Sequence, residues 1–323
     1  MTICIVARCL IEKWASVVSE EQIKQKKLRV VFISSCNPTE IKIIKEVSRV
    51  CQLTGVVKIF WQPGAAKKKD WKKRVLHPFS TVSNIVNRNY LENRIWKRRR
   101  EISKLLPECA SLPEAFNTIE VPTTSINSQS TIQKISLLNP DIILVGGAPI
   151  LRPEVFSLAR LASFNIHYGI APAYRGEHTI FWPLMKGDFD NVGITIHHVA
   201  KKVDAGRVMA YGYPELTPAD SENSLICKCA LLASELLCDL ISSIDSASGS
   251  VSPGYLPDSG GSQLVRYNDR KIWHDLAFAL KRPRPLFRPQ RVVKYYKSAT
   301  ESDAKRYVWY DDKRIHHEAT VST

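Results

Sequence analysis

The chain has 323 residues, 44% of them hydrophobic, and a formal net charge of +15. That length allows two domains, or one α/β domain with a tail, and the apolar fraction is ordinary for a globular protein. No run of eighteen apolar residues occurs, so no membrane span is indicated. Residues 3–11 are apolar, but no basic segment precedes them and no small-residue cleavage site follows. They read as an ordinary strand within an N-terminal extension of residues 1–27, not as a secretory signal. After a polar connector, residues 28–34 form a convincing strand. Pro38 then opens a helix with Ile41, Ile44, Val47 and Val50 on its apolar face, and residues 55–60 make a second strand. This βαβ start implies a parallel sheet. The turn after the first strand, residues 34–38, lacks a glycine fingerprint, which disfavours a dinucleotide-binding Rossmann site. Residues 63–118 read as an insert, basic, punctuated by Pro and Trp, and helical around 80–106. Within it, residues 67–100 hold twelve Lys or Arg against Asp70 and Glu92. Such a run suits nucleic acid, an anionic membrane or a phosphorylated substrate, but without a nucleic-acid motif a solvated surface insert is the favoured reading. Strand character returns at 118–121. A short helix over 130–138 feeds a buried strand over 141–145, and Arg152 to Leu161 suits another helix. Asp220 or Ser221 caps a helix running to about Ile244, with Leu225, Leu232, Leu236 and Leu240 on one stripe. Residues 249–261 are a linker. The C-terminal basic tail, 249–323, carries Pro283, Pro285 and Pro289 with little periodicity and reads as a short appendage.

The cysteines at 4, 9, 36, 51, 109, 227, 229 and 238 are scattered among apolar neighbours, as expected of reduced core thiols in a cytoplasmic protein. Cys227-x-Cys229 lacks a second ligand pair at zinc spacing, so no metal site is expected. The chemistry concentrates between residues 140 and 206. Asn165, Ile166 and His167 alternate polar, apolar, polar, which on a strand puts the amide and the imidazole on one face and the isoleucine in the core. Gly169, Pro172 and Gly176 then force a loop. Residues 192–199 are a further β-rich run, followed by Asp204-Ala-Gly206 at a turn. An amide, an imidazole and a carboxylate at the ends of two strands can meet in one crevice. Taken singly, each piece is weak: a histidine on a strand is more often packed than catalytic, and an aspartate before Ala-Gly is most often a turn residue. No Gly-x-Ser-x-Gly, HExxH or P-loop points to acyl-serine, zinc or nucleoside triphosphate chemistry.

Taken together, these residues resemble the catalytic domain of the formyltransferases that use 10-formyltetrahydrofolate, a family that includes methionyl-tRNA, phosphoribosylglycinamide and sugar-amine N-formyltransferases. The resemblance spans roughly residues 28–245 apart from the insert. It rests on Pro140-Asp141, Ile150-Leu151, Asn165-Ile-His167, Pro172-x-Tyr-Arg-Gly176, Gly187-Asp188, Gly193-Ile-Thr-Ile-His197 and Asp204-x-Gly206, all in matching order and spacing. It implies an α/β fold with a Rossmann-like, mostly parallel sheet, a catalytic domain over 28–248, and a catalytic set of Asn165, His167 and Asp204. Asn165, and a protonated or polarised His167, would donate to the oxyanion formed when an amine attacks a formamide. Asp204 would pair with His167 and receive the amine's proton through a water. The pterin of the formyl donor would lie against Pro149, Ile150 and Leu151 and against Ala200, Lys201, Lys202 and Val203. In that second loop Lys201 and Lys202 replace the family's frequent acidic residue.

The acceptor is less legible. The first turn is not the phosphate loop of the purine-pathway enzymes, and the tail is shorter than the β-barrel domain of the tRNA enzymes. What remains is a small-molecule amine, such as an amino sugar carried on a nucleotide, with its phosphates drawn to the basic insert or tail. Three other readings stay open: a 10-formyltetrahydrofolate hydrolase built on the same trio, a methionyl-tRNA formyltransferase-like enzyme, and a non-catalytic basic module binding RNA through residues 67–100.

Overall fold

The computed structural model describes residues 27–61, 78–244, 250–281, 288, 291–296, 304–310 and 313–317. The expected strand at 3–11 and the lysine-rich stretch at 67–73 lie outside the described residues. The architecture begins with β1 (Arg29–Ser34), α1 (Pro38–Val50), β2 (Gln52–Phe60), α2 (Pro78–Leu105), β3 (Thr118–Pro122), α3 (Gln129–Leu137) and β4 (Ile142–Gly146). It continues through α4 (Pro153–Phe156), β5 (Ala162–Tyr168), β6 (Tyr174–Gly176), α5 (Phe181–Lys186), β7 (Ile194–His198), β8 (Val208–Tyr213) and α6 (Glu222–Ser243). The chain closes with β9 (Gln263–Val265), α7 (Ile272–Lys281), β10 (Arg291–Tyr296), β11 (Ala304–Tyr310) and β12 (Lys313–His317).

The main sheet has the order β12-β11-β10-β8-β7-β5-β4-β1-β2-β3. Strands β3, β2, β1, β4 and β5 pair in parallel, and every pairing from β5 to β12 is antiparallel. This is the expected α/β fold with a Rossmann-like parallel half. Both faces of that half are covered, so its strands read as continuous apolar runs. In β1, Val30 and Phe32 enter one core with α1 and α6, while Val31 and Ile33 enter a second core with Ile135, Leu151 and Val155. Ile166 of β5 belongs to the first core, and Val145 of β4, whose register partner is Asn165, belongs to the second. The period of two thus turns Asn165 and His167 away from α1 and α6.

Local chemistry sets the register at the start of the strands. Asp141 accepts the backbone N–H of Arg29 at 2.9 Å, Nε and Nη2 of the same arginine at 3.1 and 3.0 Å, and Arg160 Nε at 2.6 Å. Burial alone would raise the Asp141 pKa, but these bonds outweigh it and hold the carboxyl well below its usual range. The Pro140-Asp141 pair is therefore a structural staple between β1 and β4. Helix α1 starts as the sequence predicts, with Pro38 in its first turn and the Asn37 N–H donated to Glu40 Oε2 at 2.8 Å. Helix α6 is capped by Ser221, whose side chain accepts from Ser224 N.

Three expectations change. The helix expected from Arg152 to Leu161 is a single turn, Pro153–Phe156. The N–H groups of Arg160 and Leu161 bond instead to Pro140 O and Asp141 O, which pulls the chain out of the helix and into β5. The C-terminal segment, expected to carry little strand character, supplies β9 to β12, and β10 lies directly on β8 of the main sheet. The exposed edge of β8 needs a partner, and β10 buries Val293 and Tyr296 in providing it. The basic insert is helical, as expected, but its last turns are not merely solvated. Ile102 and Leu106 are buried in the core shared by α1 and α6. Arg94 and Arg98 pair with Glu222 at the start of α6. Glu222 also takes a bidentate contact from Arg270, 2.9 and 3.0 Å, and Arg270 is 1% exposed with its guanidinium 3.3 Å from the centroid of the Phe181 ring.

Candidate active site

Strand β5 places Asn165 directly opposite His197 of β7, and His167 opposite Thr195. The loop leaving β5 is fixed by buried groups. Thr195 Oγ1 donates to Gly169 O at 2.6 Å and accepts the Ala171 N–H at 3.0 Å, while Tyr211 OH donates to Ala171 O at 2.6 Å. The loop then enters β6, which pairs with β9. Tyr174, 2% exposed, donates its hydroxyl to Asp188 Oδ2 at 2.9 Å, which gives the Gly187-Asp188 pair its structural role.

Asp204 sits in the turn between β7 and β8 with φ of 44°, a left-handed conformation that aspartate tolerates better than most residues. Two residues on, a Cβ on Gly206 would lie 1.7 Å from His198 O. Only glycine permits that close approach, and it folds the turn back across β5. The result brings the three predicted residues together. Asn165 Nδ2 donates to Asp204 Oδ1 at 3.1 Å, His167 Nδ1 lies 3.3 Å from Asp204 Oδ2, and the Gly176 N–H donates to Asp204 Oδ2 at 2.8 Å.

A fourth member was not singled out from the sequence. His197, 2% exposed, has Nε2 3.1 Å from Asn165 Nδ2 and 3.4 Å from Asp204 Oδ1, and Nδ1 2.8 Å from His198 O. The alternation within residues 193–197 was the signal available. It puts Thr195 and His197 on one face of a strand that must pair with Asn165.

Burial would raise the Asp204 pKa, but His167, His197 and the Gly176 N–H outweigh it and keep the group ionised well below its usual range. Burial lowers the His167 pKa, and His197 adds to that effect against the opposing pull of Asp204. Both nitrogens of His167 face oxygen, since Nε2 is 2.8 Å from Tyr174 O. A carbonyl only accepts, so Nε2 carries a hydrogen, and Nδ1 faces the Asp204 carboxylate, where a proton can lie between the two groups. The nitrogens of His167 are thus directed at Tyr174 and Asp204, and Asn165 donates to the same carboxylate from the other side.

The predicted pterin loops are anchored on the same face of the sheet. Leu151 is buried in the second core, and Val199, just before Ala200, packs against that core. Pro149, Ala200 and Val203 are half-buried, Lys201 and Lys202 are exposed, and Ile150 is 69% exposed. Asn127 brackets the first loop, donating Nδ2 to Ile150 O at 3.0 Å and accepting the Arg152 N–H on Oδ1 at 2.8 Å. A flat heterocycle would find there an aliphatic side chain and a peptide edge already held in place. Among the described residues no cluster of His, Cys, Asp and Glu is arranged to hold a metal ion, and no helix is long and apolar enough to cross a membrane.

The profile of the formyl transferase family matches residues 66–241, which is more than half of the chain. The chain belongs to the formyl transferase family. It is 27% identical over 172 residues to the methionyl-tRNA formyltransferase of Chlorobium chlorochromatii, covering 51% of this chain and 54% of that protein. To the enzyme of the same name from Chlorobium limicola it is 28% identical over 204 residues, 61% of each chain. It thus spans little more than half the length of these relatives. Among solved structures it is similar to a sugar N-formyltransferase from Shewanella sp FDAARGOS_354, at 13% identity and a TM-score of 0.47, with 92% of this chain and 98% of that chain covered.

Proposed function

We propose that this family member transfers a formyl group from 10-formyltetrahydrofolate to the amino group of a small-molecule acceptor, with Asn165, His167 and Asp204 as catalytic residues. One observation carries the reading: a buried carboxylate, held well below its usual pKa range, lies 3.3 Å from an imidazole and accepts a hydrogen bond from a carboxamide at 3.1 Å. An amine attacking a formamide forms a C–N bond and leaves an oxyanion and an ammonium. Asn165 Nδ2 donates to the oxyanion. The ammonium proton passes, through a water, into the gap between Asp204 Oδ2 and His167 Nδ1; the oxyanion then collapses to the new formamide, the donor C–N bond breaks, and the departing donor nitrogen takes up that proton. The residues of the two pterin loops hold the donor with its formamide over Asn165.

For the acceptor, the exposed Trp96, Lys97, Arg99 and Arg100 on α2 support a nucleotide-linked amino sugar, since an aromatic ring beside three cations suits a base and its phosphates. The relatives favour a second reading, methionyl-tRNA. The test supplies 10-formyltetrahydrofolate with a panel of amines, including nucleotide-linked amino sugars and methionyl-tRNA, and reads formylated products by mass. A formylated small molecule supports the proposal, and formylated methionyl-tRNA alone moves it to the second reading. Formate released at the same rate without any amine makes the protein a hydrolase. RNA binding with no turnover on any arm refutes catalysis.

A further inference from the structure

We propose that His197 is a positioning residue that fixes which way round the Asn165 carboxamide sits. Its kinetic consequence rests on the formyl-transfer reading, but its geometry does not. The β7/β8 register shifts between Ile196 and His197. Such an irregularity re-aims a side chain, and here the imidazole is buried against Asn165. Nδ1 faces the carbonyl of His198 at 2.8 Å, and because a carbonyl only accepts, Nδ1 carries a hydrogen. We assign Nε2 the lone pair, because Asn165 Nδ2, which can only donate, is nearer to it at 3.1 Å than Asp204 Oδ1 is at 3.4 Å. The second hydrogen of that amide goes to Asp204 Oδ1, also at 3.1 Å.

Turning the carboxamide over would set Asn165 Oδ1 against a lone pair and a carboxylate oxygen. Two hydrogen bonds would become two repulsions. His197 and Asp204 therefore keep nitrogen, the donor end, on the reacting side. The two bonds also differ in kind: the one to Asp204 has a carboxylate as acceptor and is charge-assisted, and the one to His197 has an imidazole nitrogen as acceptor. When an oxyanion forms, it competes with His197 Nε2 for the hydrogen on that side of the amide, while Asp204 goes on accepting the other. In the free enzyme His197 Nε2 stands in for the oxyanion.

The test compares His197→Phe, which keeps a ring but removes the acceptor, with His197→Gln, which can present an oxygen to the amide. Each is made in the wild-type chain and in an Asn165→Ala background. His197→Phe is expected to lower kcat roughly tenfold to a hundredfold with the donor KM within about twofold, and His197→Gln to recover most of that loss. In the Asn165→Ala background His197→Phe is expected to cost nothing further. An unchanged kcat, or an equal loss in both backgrounds, overturns the proposal. Exchange of the Asn165 side-chain amide with water, followed by NMR, reads the same arrangement without activity. It should be slow in the wild type and faster in His197→Phe. If no amine is formylated the functional reading falls, and this exchange alone decides the role of His197: free exchange in the wild type overturns it.

Discussion

Glu40→Gln should stabilise the protein above neutral pH and change little below pH 5. Glu40 is 5% exposed at the first turn of α1, beside the crevice between β1 and β4 where the strand order reverses. Burial raises its pKa to about 7, against opposing bonds that include the Asn37 N–H. The sign follows from the direction. A carboxyl whose pKa is higher in the folded state binds protons more tightly there, so its contribution is favourable at low pH and is lost as pH rises through 7. With the unfolded value near 4.5 and the folded value about 7, the contribution changes by on the order of 3 kcal/mol between pH 4.5 and 8. Glutamine keeps an oxygen for the Asn37 N–H and has no charge to desolvate. Urea denaturation at pH 5 and pH 8 measures the difference. The gain of the variant over the wild type should grow between these values by roughly 2 to 3 kcal/mol. A gain that is the same at both, or one that shrinks with pH, would show that the Glu40 carboxyl is not held protonated by burial.

Two further outcomes rest on single contacts. Asn127→Ala removes both bonds bracketing Ile150 and Arg152, and should raise the donor KM about tenfold with kcat unchanged, since two neutral bonds at a partly exposed loop are lost; a fall in kcat at saturating donor would mean the loop does more than hold the pterin. Glu222→Ala strands the buried Arg270 guanidinium, and chemical denaturation should show a loss of roughly 3 to 5 kcal/mol; a loss under about 1 kcal/mol would mean that Asp275 alone satisfies the arginine.

The parallel half of the fold was legible because its strands are buried on both faces. Residues 28–34 and 141–145 then read as apolar runs between turn residues, and Pro38 and Ser221 mark helix starts with local chemistry. Asn165 and His167 could be placed on one face from alternation alone. The one-turn α4 could not be foreseen, because its end is set by Pro140 and Asp141, a dozen or more residues earlier. The strands after residue 290 were hidden by prolines and basic residues, and β10 is strand because β8 needs a neighbour. His197 was missed for a similar reason. Its neighbours spell an ordinary strand, and its contacts with Asn165 and Asp204 arise only when β7 aligns with β5 and Gly206 lets the turn carry Asp204 back. The carboxylate's ligands come from three separate stretches, and no spacing along the chain records their distances.

The claim that Asp204 is the charged centre of a formyl-transfer site is tested most directly by Asp204→Asn. Asparagine keeps the shape of the turn but cannot share a proton with His167. With the amine acceptor found in the screen, kcat should fall by about a hundredfold to a thousandfold while binding of a stable formyltetrahydrofolate analogue, followed by fluorescence, stays within about threefold. An Asp204→Asn enzyme that turns over at the wild-type rate would contradict the account.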